Sequence, residues 1–201
     1  MTLVSEPLPG VKILRPFVFE DARGNFVKPF HEGQLATHGI HMTVREEFYS
    51  TSVAGVLRGM HFQAPPHAHQ KLVYCLRGRV HDVLIDLRKE SPAFGQAIGF
   101  ELSAANRHVV HIPVGFGHGF LSLEDHSCLV YKTDAVHAPE SDKGVLWNSF
   151  DYQWPLNGVE PIVSPRDQAH PPLVAFESPF QVPAQGKSRL IPVNPASKKI
   201  T

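Results

Sequence analysis

From residue 44 onward the chain is cut into short apolar runs by Gly, Pro and polar turn residues at a spacing of roughly ten. A sequence interrupted so often leaves no room for long helices. The clearest run is Arg79-Val80-His81-Asp82-Val83-Leu84-Ile85-Asp86-Leu87, which sets Val83, Ile85 and Leu87 on one face and Asp82 and Asp86 on the other. Further strands are expected at 97–102, 108–112, 119–123 and 128–133, punctuated by Gly78, Pro113, Gly115 and Gly117. The helical signal before them is one short stretch over 31–41, with Gly33 and Gly39 at its edges. Many short strands with scarcely a helix predict an all-β sandwich or barrel, whose interior is wide enough for one small ligand.

The 201 residues suit one well-buried core. Residues 1–177 read as a single domain that opens with an extended N-terminal arm over 1–20. The arm ends in Phe17-Val18-Phe19, Asp21-Ala22-Arg23-Gly24-Asn25 is a turn, and Phe26-Val27 resumes a strand. After Pro139 the pattern loosens, and Trp147-Asn148, Trp154-Pro155 and Ser164-Pro165-Arg166-Asp167 read as packed loops with a short helix. The tail over 178–201 is rich in Pro, Ser and Lys and is expected to stay weakly ordered unless it docks on a partner.

Lys plus Arg and Asp plus Glu are 19 each, so the basic footprint of a nucleic-acid binder is missing. Glu6, Lys12 and Arg15, with Pro7, Pro9 and Pro16, interrupt any apolar core of a signal peptide. No apolar window approaches the ~18 residues a membrane-spanning helix needs, so no membrane partner is expected. Cys75 and Cys128 each sit inside an apolar run and read as buried free thiols, which suits a reducing, cytoplasmic compartment. Walker A, GxGxxG, GxSxG and HExxH patterns are all missing. Simple nucleotide hydrolysis, a Rossmann dehydrogenase, a serine hydrolase of the usual kind and a zincin are therefore poor readings.

The chemistry-bearing groups concentrate between Arg58 and Lys71. Gly55-Val56-Leu57-Arg58-Gly59-Met60-His61-Phe62-Gln63 is followed by His67, His69 and Lys71, and then by the apolar run Leu72-Val73-Tyr74-Cys75-Leu76. Cations and imidazoles so close to core strands either bond one another or line a cavity, and a cavity is the reading adopted. Pro113-Val114-Gly115-Phe116-Gly117-His118 fits one half of the cupin pattern, and His67-Ala68-His69 resembles the opening of the other. Val73 and Tyr74 stand where metal cupins carry an acid. Three imidazoles alone can hold zinc or iron, but Lys71 beside them opposes a cation, so a metal-free barrel is expected.

A longer series of motifs runs in order: Asp21-x-Arg23-Gly24-x-Phe26, the Gly55–Gln63 stretch, Lys71-Leu72-Val73 and Asp86-Leu87-Arg88. Ser91-Pro92, Phe94-Gly95, Ile112-Pro113-x-Gly115-Phe116-x-His118-Gly119-Phe120, Tyr131-Lys132 and Ser164-x-x-Asp167 follow. In this order they resemble the dTDP-4-dehydrorhamnose 3,5-epimerase family over about residues 10–175. The resemblance implies an all-β cupin jelly roll with a few short helices, a homodimer, no cofactor and no metal. It implies a nucleotide-diphosphate 4-keto-6-deoxy sugar as substrate, in deoxysugar biosynthesis for cell-surface polysaccharide such as lipopolysaccharide. Carried over by position, it makes His61 the catalytic base, Asp167 its dyad partner and Tyr131 the opposing acid. Lys71, Arg58 and His118 become substrate or enolate contacts, and Arg23 and Phe26 nucleotide-end contacts. Gln63, closing the central motif, counts with the substrate-binding positions, as do Glu46, Phe48 and His137.

The chemistry supports such a set on its own terms. A proton on carbon beside a ketone is acidic because the anion delocalises onto oxygen. Inversion needs a base near neutral pKa on one face, for which histidine is suited, and a neutral acid on the other. A carboxylate at the second imidazole nitrogen fixes the tautomer. Taken singly, each residue also has a structural reading: His61 a bonded strand histidine, Tyr131 core, Asp167 a helix cap, Arg58 a partner of Asp82 or Asp86.

Four positions depart from the family pattern. Glu46 and Phe48 stand where thymidine-type members carry a Q-x-N pair, Lys28 replaces a usual Glu, and His137 replaces a usual aromatic. Lost amide donors and a reversed charge predict altered nucleotide recognition, with CDP- or GDP-sugars in play, and His137 bears on whether C3, C5 or both invert. The rival readings are a cupin 3,4-ketoisomerase of sugar nucleotides, a metal-dependent cupin oxygenase, and a catalytically silent sugar-nucleotide binding protein.

Overall fold

The computed structural model describes residues 1–181. The strands in chain order are β1 (Thr2–Ser5), β2 (Lys12–Arg15), β3 (Phe17–Asp21), β4 (Gly24–Lys28), β5 (Glu46–Ser52) and β6 (Val56–Gln63). They continue with β7 (Lys71–Arg77), β8 (Arg79–Asp86), β9 (Ala97–Ser103), β10 (Val109–Ile112), β11 (Phe116–Ser122), β12 (Ser127–Thr133), β13 (Asp142–Gly144) and β14 (Ile162–Val163). Two short helices, α1 (Glu32–Ala36) and α2 (Pro165–Gln168), and a 3-10 turn over Leu173–Ala175 complete the regular structure.

One sheet runs β1-β2-β10-β7-β12-β5 and a second runs β13-β6-β11-β8-β9, with β14 joined to β6. The pairings are antiparallel apart from β14 on β6, and β3 and β4 form a separate hairpin. Two facing antiparallel sheets with these crossed connections make the expected jelly roll. Val73, Cys75, Leu129 and Tyr131 from the first sheet meet Val80, Leu84, Phe116 and Phe120 from the second in a shared core. The outer face of the second sheet is also covered: Met60, Phe62, Val83, Ile85 and Leu87 pack under Val145, Trp154 and Phe180. Helix α1 covers the first sheet, with Leu35 against Leu14 and Leu72. Strand β8 is therefore buried on both faces, and Asp82 and Asp86 point into protein rather than water.

Three expectations are corrected. The N-terminal arm is extended, as read, but β1 and β2 belong to the first sheet, and β2 pairs with β10 through Ile13 opposite Val110. Gly117 is a strand residue rather than a breaker, so β11 begins at Phe116. A Cβ on Gly117 would stand 2.8 Å from Ile85, and glycine is there for close packing. The packed chain also runs beyond residue 177: Ser178 and Phe180 are buried, the Ser178 hydroxyl donates to the Leu87 carbonyl, and Lys89 N donates to Phe180 O at 3.1 Å. Residues 182–201 of the expected loose tail lie outside the described residues.

The Asp86-Leu87-Arg88…Ser91 motif proves structural. Asp86 is fully buried and accepts from Arg88 Nε at 2.9 Å and from Ser91 Oγ at 2.6 Å, while Arg88 Nη2 reaches the Pro9 carbonyl at 3.0 Å. This knot ties the N-terminal strands to the second sheet. Arg88→Ala strands a buried carboxylate, and chemical denaturation is expected to show a loss of about 3–5 kcal/mol.

Candidate active site

A regular strand would send Arg58 and His61, three residues apart, to opposite faces. The structure sends both into one cavity of about 300 Å³ between the sheets. The cause is a bulge in β6. His118 pairs with His61 and Phe120 pairs with Arg58, so β6 spends one residue more than β11 over this step. The extra residue shifts the phase and re-aims the side chains, as bulges beside active sites commonly do. Glycines make it possible. Gly59 has φ 143°, and a Cβ on Gly119 would lie 2.7 Å from the Arg58 carbonyl oxygen.

His61 Nε2 and Asp167 Oδ1 lie 2.7 Å apart, and Asp167 Oδ2 accepts from Gly59 N at 3.1 Å. Asp167 sits in the first turn of α2, whose cap is Ser164: its Oγ accepts from Asp167 N at 3.1 Å. Burial raises the Asp167 carboxyl, but the His61 hydrogen bond and charge and the Gly59 N–H outweigh it, so its pKa falls below the ordinary value. With Nε2 held by the carboxylate, His61 keeps Nδ1 for a ligand.

Tyr131 and Lys71 come from the first sheet and face His61 of the second across the same cavity. Tyr131 is buried, and burial drives its phenol well above the ordinary value, so it stays protonated. Its ring stacks on Phe48 with centroids 4.8 Å apart and planes 11° apart. Lys71 Nζ donates to the His61 carbonyl at 3.2 Å, and burial lowers its pKa to about 8. His118 is buried, with Nε2 2.8 Å from Asp82 Oδ2; burial outweighs that carboxylate and lowers the imidazole's pKa. Arg58 lines the cavity and donates Nε to Ser52 Oγ at 3.1 Å, so it pairs with neither Asp82 nor Asp86.

The remaining expected positions divide. Glu46, Phe48 and His137 line the cavity, and Glu46 Oε2 accepts from His137 N at 2.6 Å. Three of the four departures thus line the cavity, Phe48 against Tyr131, while Lys28 lies on the β3–β4 hairpin. Gln63 lines the wall, but its amide is committed to protein. It donates to His67 O at 2.8 Å and His69 Nδ1 at 2.9 Å, and accepts from Ala138 N at 2.6 Å. It braces two loops and has little left for a ligand. Arg23 and Phe26 lie on the exposed β3–β4 hairpin, apart from the cavity. The cupin imidazoles do not converge: His67 is not among the cavity's lining residues and lies 3.3 Å from Glu140, while His69 lines the cavity with a pKa lowered to about 3 by burial and by Lys71. Asp82 as the partner of His118 was missed, and so was His170, whose ring lies edge-on to His61 with centroids 5.8 Å apart. The alternation of β8 held a signal for Asp82; no pattern singled out His170.

The family model for dTDP-4-dehydrorhamnose 3,5-epimerase matches residues 5–175. The chain belongs to this family. It is 39% identical over 170 residues to the Shigella flexneri dTDP-4-dehydrorhamnose 3,5-epimerase, covering 83% of this chain and 93% of that protein. Identity is also 39%, over 173 residues, with the epimerase of Methanothermobacter thermautotrophicus, at 85% and 93% coverage. Among solved structures, the Legionella pneumophila 3,5-epimerase in complex with dTDP-4-keto-L-rhamnose superposes with a TM-score of 0.86 at 32% identity, covering 91% of this chain and 99% of that one. A 3'-monoepimerase from Streptomyces bikiniensis in complex with dTDP-quinovose gives 0.79 at 30% identity, with 84% and 86% covered. The chain is therefore an isomerase of the carbohydrate-epimerase type, with the cupin jelly roll of that family. No described helix is long and apolar enough to cross a membrane.

Proposed function

We propose that this epimerase inverts C3, C5 or both of a nucleotide-diphosphate 4-keto-6-deoxy sugar, with no metal or cofactor, and that His61 and Tyr131 work on opposite faces of the sugar ring. The observation that carries the reading is the His61–Asp167 pair facing Tyr131 across one cavity that Lys71 also lines. His61 takes the proton beside the ketone through Nδ1, and Asp167 holds the tautomer and stabilises the imidazolium. Negative charge moves to the ketone oxygen, where Lys71 and Arg58 are placed as donors, with His118 as a third polar contact. One such preorganised donor is worth about 3 kcal/mol. Tyr131 returns a proton to the other face. Proton NMR in heavy water with a panel of 4-keto sugar nucleotides tests the reading: wash-in at C3 or C5 with inversion supports it, and a keto group moved to C3 without inversion favours the ketoisomerase.

Kinship points to a thymidine nucleotide, since the relatives from Shigella flexneri and Methanothermobacter thermautotrophicus carry dTDP in their names. Among the departures, Phe48 stacks on Tyr131, so it bears on proton return at least as much as on the base. Calorimetry with dTDP, CDP and GDP separates the two, and comparable binding of CDP or GDP would favour an altered nucleotide preference. The exposed β3–β4 hairpin carries Arg23 and Phe26 away from their own cavity. In a homodimer it would deliver them to the nucleotide end of the second copy's site. Free Cys75 and Cys128 suit a reducing, cytoplasmic setting.

Lys71 gives a pH dependence. Its pKa is lowered to about 8 by burial, and the ammonium is the form that stabilises the enolate. As pH rises through about 8 the ammonium is lost, so kcat/KM is expected to fall on the alkaline side. Lys71→Met should be slow and should lack that limb; an unchanged alkaline limb in the variant would remove Lys71 from the mechanism.

A further inference from the structure

We propose that His61, Asp167 and His170 form a binding site for a zinc-type dication, and that its occupancy switches the base off. One ligand atom from each of the three lies within 4.8 Å of the other two, the one such grouping found among the described residues. Asp167 Oδ1 is 2.7 Å from His61 Nε2 and 3.8 Å from His170 Nε2. Nitrogen and oxygen donors around zinc at about 2.1 Å stand roughly 3.5 Å apart, so the present separations bracket the bound geometry. Two imidazoles and a carboxylate are a common zinc donor set, and three protein ligands leave a position open.

His170 supplies the second observation. Its Nε2 is buried and has no hydrogen-bond partner in the protein, although the side chain is only 12% exposed. A buried nitrogen left so is costly, and a cation between it and Asp167 would satisfy it. The ring is held in place: a Cβ on Gly144 would stand 2.4 Å from His170 Nε2, so only glycine in β13 leaves it room. A second cavity, of about 360 Å³ and lined by Phe62, Asp142, Lys143, Gly144 and His170, lies on the His170 side of the group and does not include His61 or Asp167. Of the nearby cations, Arg166 pairs with Asp142 at 2.7 Å and Lys71 Nζ donates to the His61 carbonyl at 3.2 Å.

Taking up the ion needs the lone pair of His61 Nε2, so the proton held there toward Asp167 passes, by way of solvent, to Nδ1 of the same neutral ring. His61 then carries the metal on Nε2 and a proton on Nδ1, which has no lone pair left to take a proton from the substrate. Binding does not depend on the catalytic role of His61. Inhibition does, because it rests on the reading given above.

The experiment uses the full chain, stripped with chelator and titrated with ZnCl2 in a calorimeter. One ion per chain is expected, weakened by roughly 10–100-fold in His170→Asn and in His170→Gln, and unaffected in His67→Asn, which removes an imidazole outside the group. Thermal melting of both His170 variants establishes that they fold. Co2+ added in place of zinc should give the visible absorption of a four-coordinate site in wild type and lose it in His170→Asn. In the wash-in assay zinc should inhibit wild type, chelator should restore it, and His170→Asn should need at least tenfold more zinc. No stoichiometric binding at micromolar zinc, or folded His170 variants that bind zinc like wild type, would overturn the site. Binding without inhibition would overturn the switch and leave the site standing.

Discussion

His61→Ala is expected to lose solvent deuterium wash-in at C3 and C5 by roughly 10²–10⁴-fold, the range for removal of a positioned general base. The expectation follows from the bulge in β6, which turns this side chain into the cavity, and from Asp167, which binds Nε2 and leaves Nδ1 to act. Three neighbouring groups in the cavity are poor substitutes. Lys71 is protonated below about pH 8, Tyr131 is driven above its ordinary pKa by burial, and Nε2 of His118 is tied to Asp82. Asp167→Asn should be a milder version of the same defect. The amide keeps an oxygen for Gly59 N but removes the charge that stabilises the imidazolium, so kcat should fall by roughly 10²-fold or more with KM little changed. Wash-in by His61→Ala at near wild-type rate would remove His61 as the base, whatever happened to overall stability.

Much of this was legible in the chain. The strand cadence gave the β architecture because turn residues and apolar runs alternate with few exceptions. The ordered motifs brought His61, Tyr131, Lys71 and Asp167 together before any coordinates. The bulge was not legible, because alternation assumes an unbroken ladder and β6 breaks it between Arg58 and His61. Gly117 looked like a breaker because the same residue serves turns and close packing, and here the Ile85 side chain decides. Ser178 and Phe180 belonged to no periodic run, yet they close the outer face of the second sheet. Gln63 carried no local sign that its amide was committed to the loop around Ala138. His170 was one histidine of 13, in a Pro-rich stretch with no periodicity, and only the fold places it beside Asp167.

Tyr131→Phe is expected to separate exchange from inversion. The phenol sits on the first sheet and His61 on the second, so removing the hydroxyl leaves proton abstraction intact and deprives the opposite face of its donor. The enolate should then be reprotonated mainly by His61, on the face it came from. Deuterium should still wash in, while inverted product falls by roughly 10²–10⁴-fold. Stability should change little, because the ring and its stacking on Phe48 at 4.8 Å survive the substitution. Phe48→Ala gives the complementary case: the hydroxyl remains, but the phenol loses the face that fixes its plane, so inversion should fall by a smaller factor and the ratio of exchange to inversion should rise. Measuring both quantities on one sample, by NMR for exchange and by product analysis for inversion, makes the outcome independent of how much active enzyme is present. Equal losses of exchange and inversion in Tyr131→Phe would mean that one group serves both faces, and the two-sided mechanism would have to be abandoned.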